Sequence, residues 1–298
     1  MIKNAILFFF DFLGYKIQKK EQLKNPAKHS DLNNIEELLN IKINIKKHEY
    51  IDGCYTFIKN LKEKKNAKFY FENEIKVEIE EFQFFINSWE EMFILNELFI
   101  EGIYNFNIQE EFTLFDVGLN VGFTSLFFAQ KNNCINTFSF EPFKKTFDFA
   151  NKNFKINDFS KKINAFNYGL GDFERILEID YNETYKGSMG INGLADYIND
   201  KSNSIRTQLM IKNISFVIDE YKTDFASKVF AKIDCEGAEY EIMENLDKNN
   251  KIKIFDFYMI EWHIKGPESI INILKKHNYK ILSFNESTND IGMIYAFK

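Results

Sequence analysis

Apolar and polar positions follow different patterns in the N-terminal part of the chain. Residues 1–65 carry short apolar runs between stretches rich in lysine and asparagine, which predict helical and irregular structure. Residues 67–86 alternate apolar and polar side chains around a polar turn at 72–74, which is the periodicity of strands. We therefore predict a β-hairpin there, followed by a helix over 88–106.

From residue 112 onward, apolar strands and helical segments alternate regularly. We predict strands at 112–117, 135–143, 162–173, 175–180, 214–221, 229–237 and 255–263. Repeated strand–helix units form a parallel sheet covered by helices on both faces. The last two strands, YKILSF and IGMIYAF, are close enough to form an antiparallel hairpin at its edge. The pattern thus predicts a doubly wound α/β fold with a seven-stranded mixed sheet.

The stretch 181–212 interrupts this alternation, because it is polar and contains Gly187, Gly190 and Gly193. We predict a long loop or short helices there. A loop of that length inside a compact domain is uncommon unless it is a lid or a substrate-binding segment. The stretch is therefore a candidate for substrate recognition.

The first strand of the sheet runs into a glycine-rich turn and a helix. In FDVGLNVGFTS, residues 115–125, Gly118 and Gly122 flank Asn120. Glycines between a strand and a helix let the backbone approach a ligand closely and direct free helix N–H groups towards it. This arrangement predicts a nucleotide-like cofactor at the end of a parallel strand.

Acidic residues stand at the ends of the strands that follow. Glu141 closes the second strand, about 25 residues after Asp116 closes the first, a spacing at which a carboxylate accepts hydrogen bonds from the hydroxyls of a ribose. A carboxylate there would repel a 2′-phosphate. Asp172, just past the third strand, is placed to accept a hydrogen bond from an adenine amino group. These residues predict an adenosine-containing cofactor.

Two later strands end in further ionisable residues. Asp234 ends an apolar strand, where burial costs several kcal/mol unless the carboxylate is paired or used. Glu261 and His263 are two residues apart on the next strand, so their side chains share a face. A histidine beside a carboxylate is a fair general base. Mixed oxygen and nitrogen donors also suit a divalent metal, but the spacing is not a recognised metal signature, and we predict none.

Composition limits the function classes. Of the 298 residues, 45% are hydrophobic and 34 are Phe, enough for a large aromatic core. The 38 basic and 44 acidic residues give a net charge of −6, which argues against nucleic acid as the main partner. The spacing of Cys54, Cys134 and Cys235 does not suit a disulfide framework or a zinc site. A reducing compartment, the cytoplasm, is therefore predicted.

The N terminus begins with an apolar run that Asp11 interrupts. The run is shorter than the ~20 residues that a membrane-spanning helix needs, and no small-residue cleavage site follows it. We predict an amphipathic or buried helix and no stable membrane span. A membrane-surface anchor, with Lys16, Lys19 and Lys20 near the headgroups, remains the alternative.

The chain carries FDVGLNVGFTS, FEP, the YGLGD turn and KIDCEGAEYEIM followed by MIEWH. Together these segments resemble the FkbM family of S-adenosylmethionine-dependent methyltransferases, in which a segment similar to NELFIEGIY commonly precedes the glycine turn. The resemblance covers about residues 67–298 and is densest from 112 to 263. Leu119 departs from the small residue that is usual there, which implies only modest repacking of the turn.

This resemblance implies a Rossmann-like methyltransferase domain over 106–298, preceded by a helical and β-hairpin extension over 1–105. Its cofactor is S-adenosyl-L-methionine. The resemblance assigns cofactor-binding roles to Asp116, Gly118, Asn120 and Gly122 around the methionine part, to Glu141 at the ribose and to Asp172 near the adenine. Ser125, in the same motif, is a further candidate for cofactor binding.

Members of the family are O-methyltransferases that act on natural-product hydroxyls or on sugars of surface polysaccharides and glycolipids. We therefore expect a small-molecule or glycan acceptor: a hydroxyl of a saccharide or of a lipid-linked or surface glycan, with a natural product as the alternative. His263 is the first candidate for the base and Asp234 the second, with Glu261 orienting or pairing. The oligomeric state is left open.

Two other function classes fit less well. A nicotinamide dehydrogenase would carry G-x-G-x-x-G, which Gly118, Asn120 and Gly122 do not match. A non-catalytic protein of the same fold would not need acids at several strand ends. Lys186, Lys201 and Arg206 are candidates for binding an anionic sugar, or they are solvated surface residues.

Overall fold

The computed structural model describes residues 31–191, 193–194, 204–285 and 291–298. The predictions for the N-terminal apolar run and for Lys201 lie outside the described residues. The chain divides into two compact units, with the division between Gln109 and Glu110. Within the described ranges, every helix is too short or too polar to cross a bilayer.

The N-terminal unit combines short helices with a small antiparallel sheet. Its elements are α1 (Leu32–Leu39), α2 (Tyr55–Lys65), β1 (Lys68–Phe71), β2 (Ile75–Ile79), β3 (Phe82–Ile86) and α3 (Trp89–Asn96). The predicted hairpin is part of a three-stranded sheet, because Glu80 takes a left-handed backbone conformation and turns the chain into β3. Ser88 and Glu91 form a capping box at the start of α3.

The second unit contains the predicted seven-stranded sheet. Its strands are β4 (Phe112–Val117), β5 (Cys134–Phe140), β6 (Ile163–Phe166), β12 (Lys228–Ile233), β13 (Phe257–His263), β14 (Lys280–Asn285) and β15 (Ile291–Phe297). They are ordered β14-β15-β13-β12-β4-β5-β6. All pairings are parallel except those of β15 with β13 and β14, which confirms the doubly wound fold with a terminal antiparallel hairpin.

Helices connect and cover these strands. They are α4 (Phe123–Ala129), α5 (Lys144–Lys155), α6 (Ile214–Tyr221), α7 (Glu239–Lys248) and α8 (Glu268–Lys276). In the core of this unit, the ring of Phe115 packs against Phe140 and Phe255. The aromatic composition is therefore used to fill the space between the sheet and its helices.

The structure corrects the prediction that 214–221 is a strand. This segment is helix α6, and the Asn213 side chain caps it by accepting hydrogen bonds from the N–H groups of Ser215 and Phe216. Ile214, Val217 and Ile218 are buried at helical spacing, whereas Phe216 is 71% exposed. The short apolar run fits both periodicities, and the cap and the packing favour the helix.

The predicted third strand and the predicted long loop also form more structure than expected. The segment 162–173 is split into β6 and β7 (Gly169–Gly171), and β7 lies in a second sheet of order β7-β11-β8. That sheet also contains β8 (Arg175–Asn182) and β11 (Ser204–Asn213), and two short strands follow β8, namely β9 (Met189–Gly190) and β10 (Gly193–Leu194). Much of the described part of 181–212 is therefore strand, because β11 pairs with both β7 and β8.

The order of the strands places the ends of four of them together. β4 lies between β5 and β12, and β12 lies beside β13, so the carboxyl ends of these four parallel strands share one edge of the sheet. From β4 the chain continues to β5 and β6 on one side of β4, and it later returns to β12 and β13 on the other side. Such a reversal opens a crevice for a ligand at that edge.

Candidate active site

The glycine turn after β4 is shaped by its neighbours in the fold. Gly118 has a φ of +86°, and a Cβ at this position would lie 1.7 Å from the carbonyl oxygen of Asp234. Gly122 also has a φ of +86°, and a Cβ there would lie 2.6 Å from the ring of Phe154 on α5. Gly118 therefore lets the end of β12 approach, and Gly122 lets a helix pack against the turn.

Asn120 is at the tip of the turn with a left-handed φ of +51°. Its N–H donates a 2.9 Å hydrogen bond to Glu141 Oε2. Its buried Oδ1 accepts no hydrogen bond from any described residue. An unsatisfied buried acceptor is costly, so Asn120 Oδ1 suits a ligand that brings a donor.

Glu141 follows β5 and is 5% exposed. Each carboxylate oxygen accepts one backbone hydrogen bond, Oε1 from Phe143 N at 3.0 Å and Oε2 from Asn120 N. Burial raises the pKa of Glu141 to about 7, although these two N–H groups and the charge of Lys232 oppose the shift. Each oxygen retains a lone pair, so the carboxylate can still accept hydrogen bonds from ligand hydroxyls.

Asp116 and Ser125 lie behind the turn in a buried polar cluster. Ser125 Oγ donates to Asp116 Oδ2 at 2.5 Å and lies 2.7 Å from Ser139 Oγ. Burial raises the pKa of Asp116, while Lys232 and Ser125 oppose the shift. Neither Asp116 nor Ser125 is among the described residues that line the cavity at this edge. Asp116 and Ser125 are therefore placed to support the turn, and their contact with the cofactor remains a prediction.

Lys232 on β12 is a part of the site that sequence reasoning missed. Its Nζ donates to Gly118 O at 2.7 Å and lies 3.2 Å from Asp234 Oδ2 and 3.5 Å from Asp116 Oδ1. Burial alone would lower the pKa of Lys232, but Asp234 and Asp116 raise it above its ordinary value. The available signal was a lysine in the middle of the apolar strand VFAKI.

One cavity joins the turn to the end of β12. It is lined by Gly118 and Asn120, by Glu141, by Asp234 and Glu236, and by residues of the second sheet and its connections such as Leu170, Lys186 and Met189. The carboxylates at the ends of β5 and β12 therefore face the same space. Lys186, a candidate for anion binding, lines this cavity, whereas Arg206 is exposed and pairs with Glu178 and Asp180.

The structure does not bring Asp172 into the cavity lining. Gly169 and Leu170 of the same segment do line it. The Asp172 carboxylate instead lies 2.9 Å from Arg175 Nη1, whose Nη2 lies 2.6 Å from Glu241 on α7. Its contact with adenine remains a prediction, and the observed geometry gives the residue a role in joining the second sheet to α7.

His263 is 3% exposed at the end of β13, and its partner is Glu239. Glu239 Oε1 accepts from the His263 backbone N at 2.8 Å and lies 3.3 Å from Nδ1. Glu236 Oε1 lies 3.6 Å from Nε2 on the other side of the ring. Burial alone would lower the pKa of His263, but Glu239, Glu236 and Glu261 raise it to about 10.

Glu239, which the sequence analysis did not name, thus contacts His263, and an orienting or pairing role of Glu261 remains a prediction. Glu239 is fully buried and opens α7, and its Oε2 also accepts a 2.8 Å hydrogen bond from Gly237 N. An acid in the first turn of a helix is common because of the helix dipole, so its position in the sequence carried no sign of this contact. Glu261 lies at the end of the same strand as His263 and contributes to the negative potential there.

The comparison with known families agrees with this geometry. The family model described as "Methyltransferase FkbM domain" matches residues 116–281, from the end of β4 into β14. The chain belongs to the FkbM methyltransferase family. The match contains the glycine turn, Glu141 and the acids at the ends of β12 and β13.

Individual relatives are distant. This FkbM methyltransferase is 23% identical to "Methyltransferase sdnD" of Sordaria araneosa over 63% of its own length and 82% of that protein. It is 20% identical to "AMB antimetabolite synthetase AmbE" of Pseudomonas aeruginosa over 66% of its own length and 11% of that protein. A solved "Methyltransferase FkbM" from Methylobacillus flagellatus KT is 13% identical, with a TM-score of 0.46 over 68% of this chain and 47% of that one, so the match spans about half of the solved chain.

S-adenosylmethionine is the cofactor of this FkbM methyltransferase. The residues at the carboxyl edge fit it. Two acceptors face the cavity, namely Asn120 Oδ1, which accepts no hydrogen bond from the described residues, and the remaining lone pairs of the Glu141 carboxylate. Gly118 also lines the cavity and has no side chain. The two acceptors would accept hydrogen bonds from the cofactor, and the glycine would let the cofactor lie close to the protein backbone.

Proposed function

We propose that the protein transfers a methyl group from S-adenosylmethionine to a hydroxyl of a saccharide or of a lipid-linked or surface glycan. One observation carries the proposal: Glu141 and the glycine turn share a cavity with Asp234 and Glu236. A cavity with the cofactor at one end and carboxylates at the other suits an acceptor with several hydroxyl groups, because carboxylates accept hydrogen bonds from them.

The chain's own residues would align the reactants and remove a proton. When bound, S-adenosylmethionine supplies a methyl group that is already activated for displacement. Glu141 and Asn120 would orient the donor, and such alignment supplies several kcal/mol of the acceleration. Asp234, held by Lys232 at 3.2 Å, would receive the proton of the acceptor hydroxyl, a contribution on the order of 10²–10⁴-fold.

Asp234 replaces His263 as the first candidate for the base in this proposal. Asp234 lines the cavity, and its side chain is 30% exposed. His263 is buried beside Glu239, and it is not among the described residues of the cavity wall. A base must come within hydrogen-bond reach of the proton it takes, so Asp234 has the better geometry.

A natural-product hydroxyl is the second candidate acceptor. The similarity to part of a protein named as an antimetabolite synthetase supports it, because that name refers to the synthesis of a small molecule. Both acceptors require the same chemistry at oxygen. They differ in the size of the molecule that must reach Asp234.

Incubation with S-adenosylmethionine and a panel of saccharides, glycolipids and hydroxylated small molecules tests the proposal. We expect a methyl ether, detected by mass spectrometry as a mass gain that survives mild alkali. In Asp234→Asn, turnover should fall at least ~100-fold, whereas Asp180→Asn on the exposed face of β8 should retain it. A methyl group on nitrogen or carbon, or full turnover in Asp234→Asn, would contradict the proposal.

A further inference from the structure

We infer that Asp234, Glu236 and His263 form a binding site for one divalent cation at the acceptor end of the cavity. This inference rests on the proposed function for the role of the cation, which is to hold the acceptor oxygen while the second carboxylate oxygen of Asp234 takes the proton. The existence of the site follows from the geometry of the three side chains and can be tested without an acceptor.

The three residues come from two neighbouring strand ends. Asp234 and Glu236 follow β12, and His263 ends β13, its parallel neighbour. One ligand atom from each residue lies within 4.8 Å of the other two. Glu236 lies in the loop after β12 with a left-handed φ of +51°.

The histidine is oriented as a metal ligand is. Glu239 Oε1 accepts from the backbone N of His263 and lies 3.3 Å from Nδ1, so an Nδ1–H tautomer is favoured. A cation would displace the second proton of the ring and bind the Nε2 lone pair; Nε2 lies 3.6 Å from Glu236 Oε1 and makes no hydrogen bond within the described residues. A carboxylate that holds the far nitrogen of a histidine is the usual support for a metal-binding imidazole.

The charges also call for a cation. Asp234, Glu236 and Glu239 bring three carboxylates to this place, and Lys232 Nζ lies 3.2 Å from Asp234 Oδ2. Glu239 and His263 are buried, so their interactions are poorly screened by solvent. A divalent ion would offset this charge between the strand ends.

The donor set indicates the class of ion. Two carboxylate oxygens and one imidazole nitrogen suit Mn²⁺ and related first-row divalent ions, and three protein ligands leave coordination positions open for water or an acceptor oxygen. Asp234 and Glu236 line the cavity, so an ion they hold would be accessible from it.

Titration of the chelator-treated 298-residue chain with Mn²⁺, followed by electron paramagnetic resonance, tests the site. We expect one saturable site per chain in the wild type. Its dissociation constant should rise at least tenfold in Glu236→Gln and in His263→Gln. Glu174→Gln, at an exposed position of the same unit, should bind Mn²⁺ as the wild type does.

S-adenosylhomocysteine affinity, measured by calorimetry on the same samples, shows whether each variant is folded. Equal Mn²⁺ affinity in the wild type and Glu236→Gln, with both folded, would overturn the inference, and so would non-saturable binding by the wild type. Saturable Mn²⁺ binding without methyl transfer to any acceptor would support the site and refute the proposed function alone.

Discussion

At the scale of single residues, several motif positions serve the fold before they serve a ligand. Gly118 is required by the approach of Asp234 O, and Gly122 by the ring of Phe154. Asp116 and Ser125 bond to each other beneath the turn. A motif residue can therefore be needed for the cofactor site without touching the cofactor, and its substitution acts through the shape of the turn.

Lys232 is a buried residue of the site whose loss should strongly destabilise the fold. We expect Lys232→Met to lower the free energy of unfolding by ~3–5 kcal/mol, because Asp116 and Asp234 lose a buried partner. Lys228→Met, at the start of the same strand, removes a half-exposed pair with Asp256 and should cost at most ~1 kcal/mol. Urea unfolding of both variants measures the difference, and equal losses would contradict this role for Lys232.

Glu141 predicts a pH dependence of cofactor affinity. Its carboxylate must be ionised to accept ribose hydroxyls, and burial raises its pKa to about 7. Affinity for S-adenosylhomocysteine should therefore rise with pH and be about tenfold higher at pH 8 than at pH 6.

Calorimetry across this range checks the prediction. Glu141→Gln should bind more weakly at pH 8 and lose most of the dependence on pH. A variant with the wild-type pH profile would show that another group controls it.

At the scale of elements, the second sheet joins the cavity to α7. Arg175 at the start of β8 contacts Asp172 and Glu241, and its side chain is 15% exposed. We expect Arg175→Ala to cost ~1–3 kcal/mol of unfolding free energy, because Glu241 loses its charged partner. Arg206→Ala on β11, with a side chain 60% exposed, should cost less than ~1 kcal/mol. Chemical denaturation compares them, and similar losses would refute the joining role.

The elements also show where periodicity misleads. The segment ISFVIDEY has too few residues to separate strand from helix by pattern, and its helix depends on the Asn213 cap and on burial of one side. The stretch 181–212 appeared to be a loop because β11, the central strand of a small sheet, buries only two of its ten side chains, Leu209 and Ile211. A strand with a solvated face carries a weaker apolar signal than a strand that is buried on both faces.

At the scale of the whole molecule, cofactor binding should be linked to unfolding. S-adenosylhomocysteine at 100 times its dissociation constant should add about 2.7 kcal/mol to the free energy of unfolding, because the ligand binds the folded state alone. Gly118→Ala, whose Cβ would meet Asp234 O, should lose this gain together with cofactor affinity. Unfolding midpoints measured at increasing S-adenosylhomocysteine concentrations test this linkage. A wild-type midpoint that does not change with ligand concentration would contradict it.

The sequence by itself determined the class of the fold and the place of the glycine turn and Glu141 at the ends of neighbouring strands. Buried strands and amphipathic helices produce a local periodicity of apolar residues. The glycine turn and Glu141 form a short-range sequence pattern. The fold class and this pattern could therefore be predicted. The family resemblance extended this to methyl transfer. These features are readable because each depends on residues that are close along the chain.

Only the tertiary structure decided which distant side chains meet. Glu239 reaches His263 across 24 positions of sequence, and Lys232 reaches Gly118 across 114. Both contacts arise because β12 lies between β4 and β13, an order that local periodicity does not specify. The contacts of His263 with Glu239 and Glu236 also depend on this order, and that is why the sequence did not indicate them.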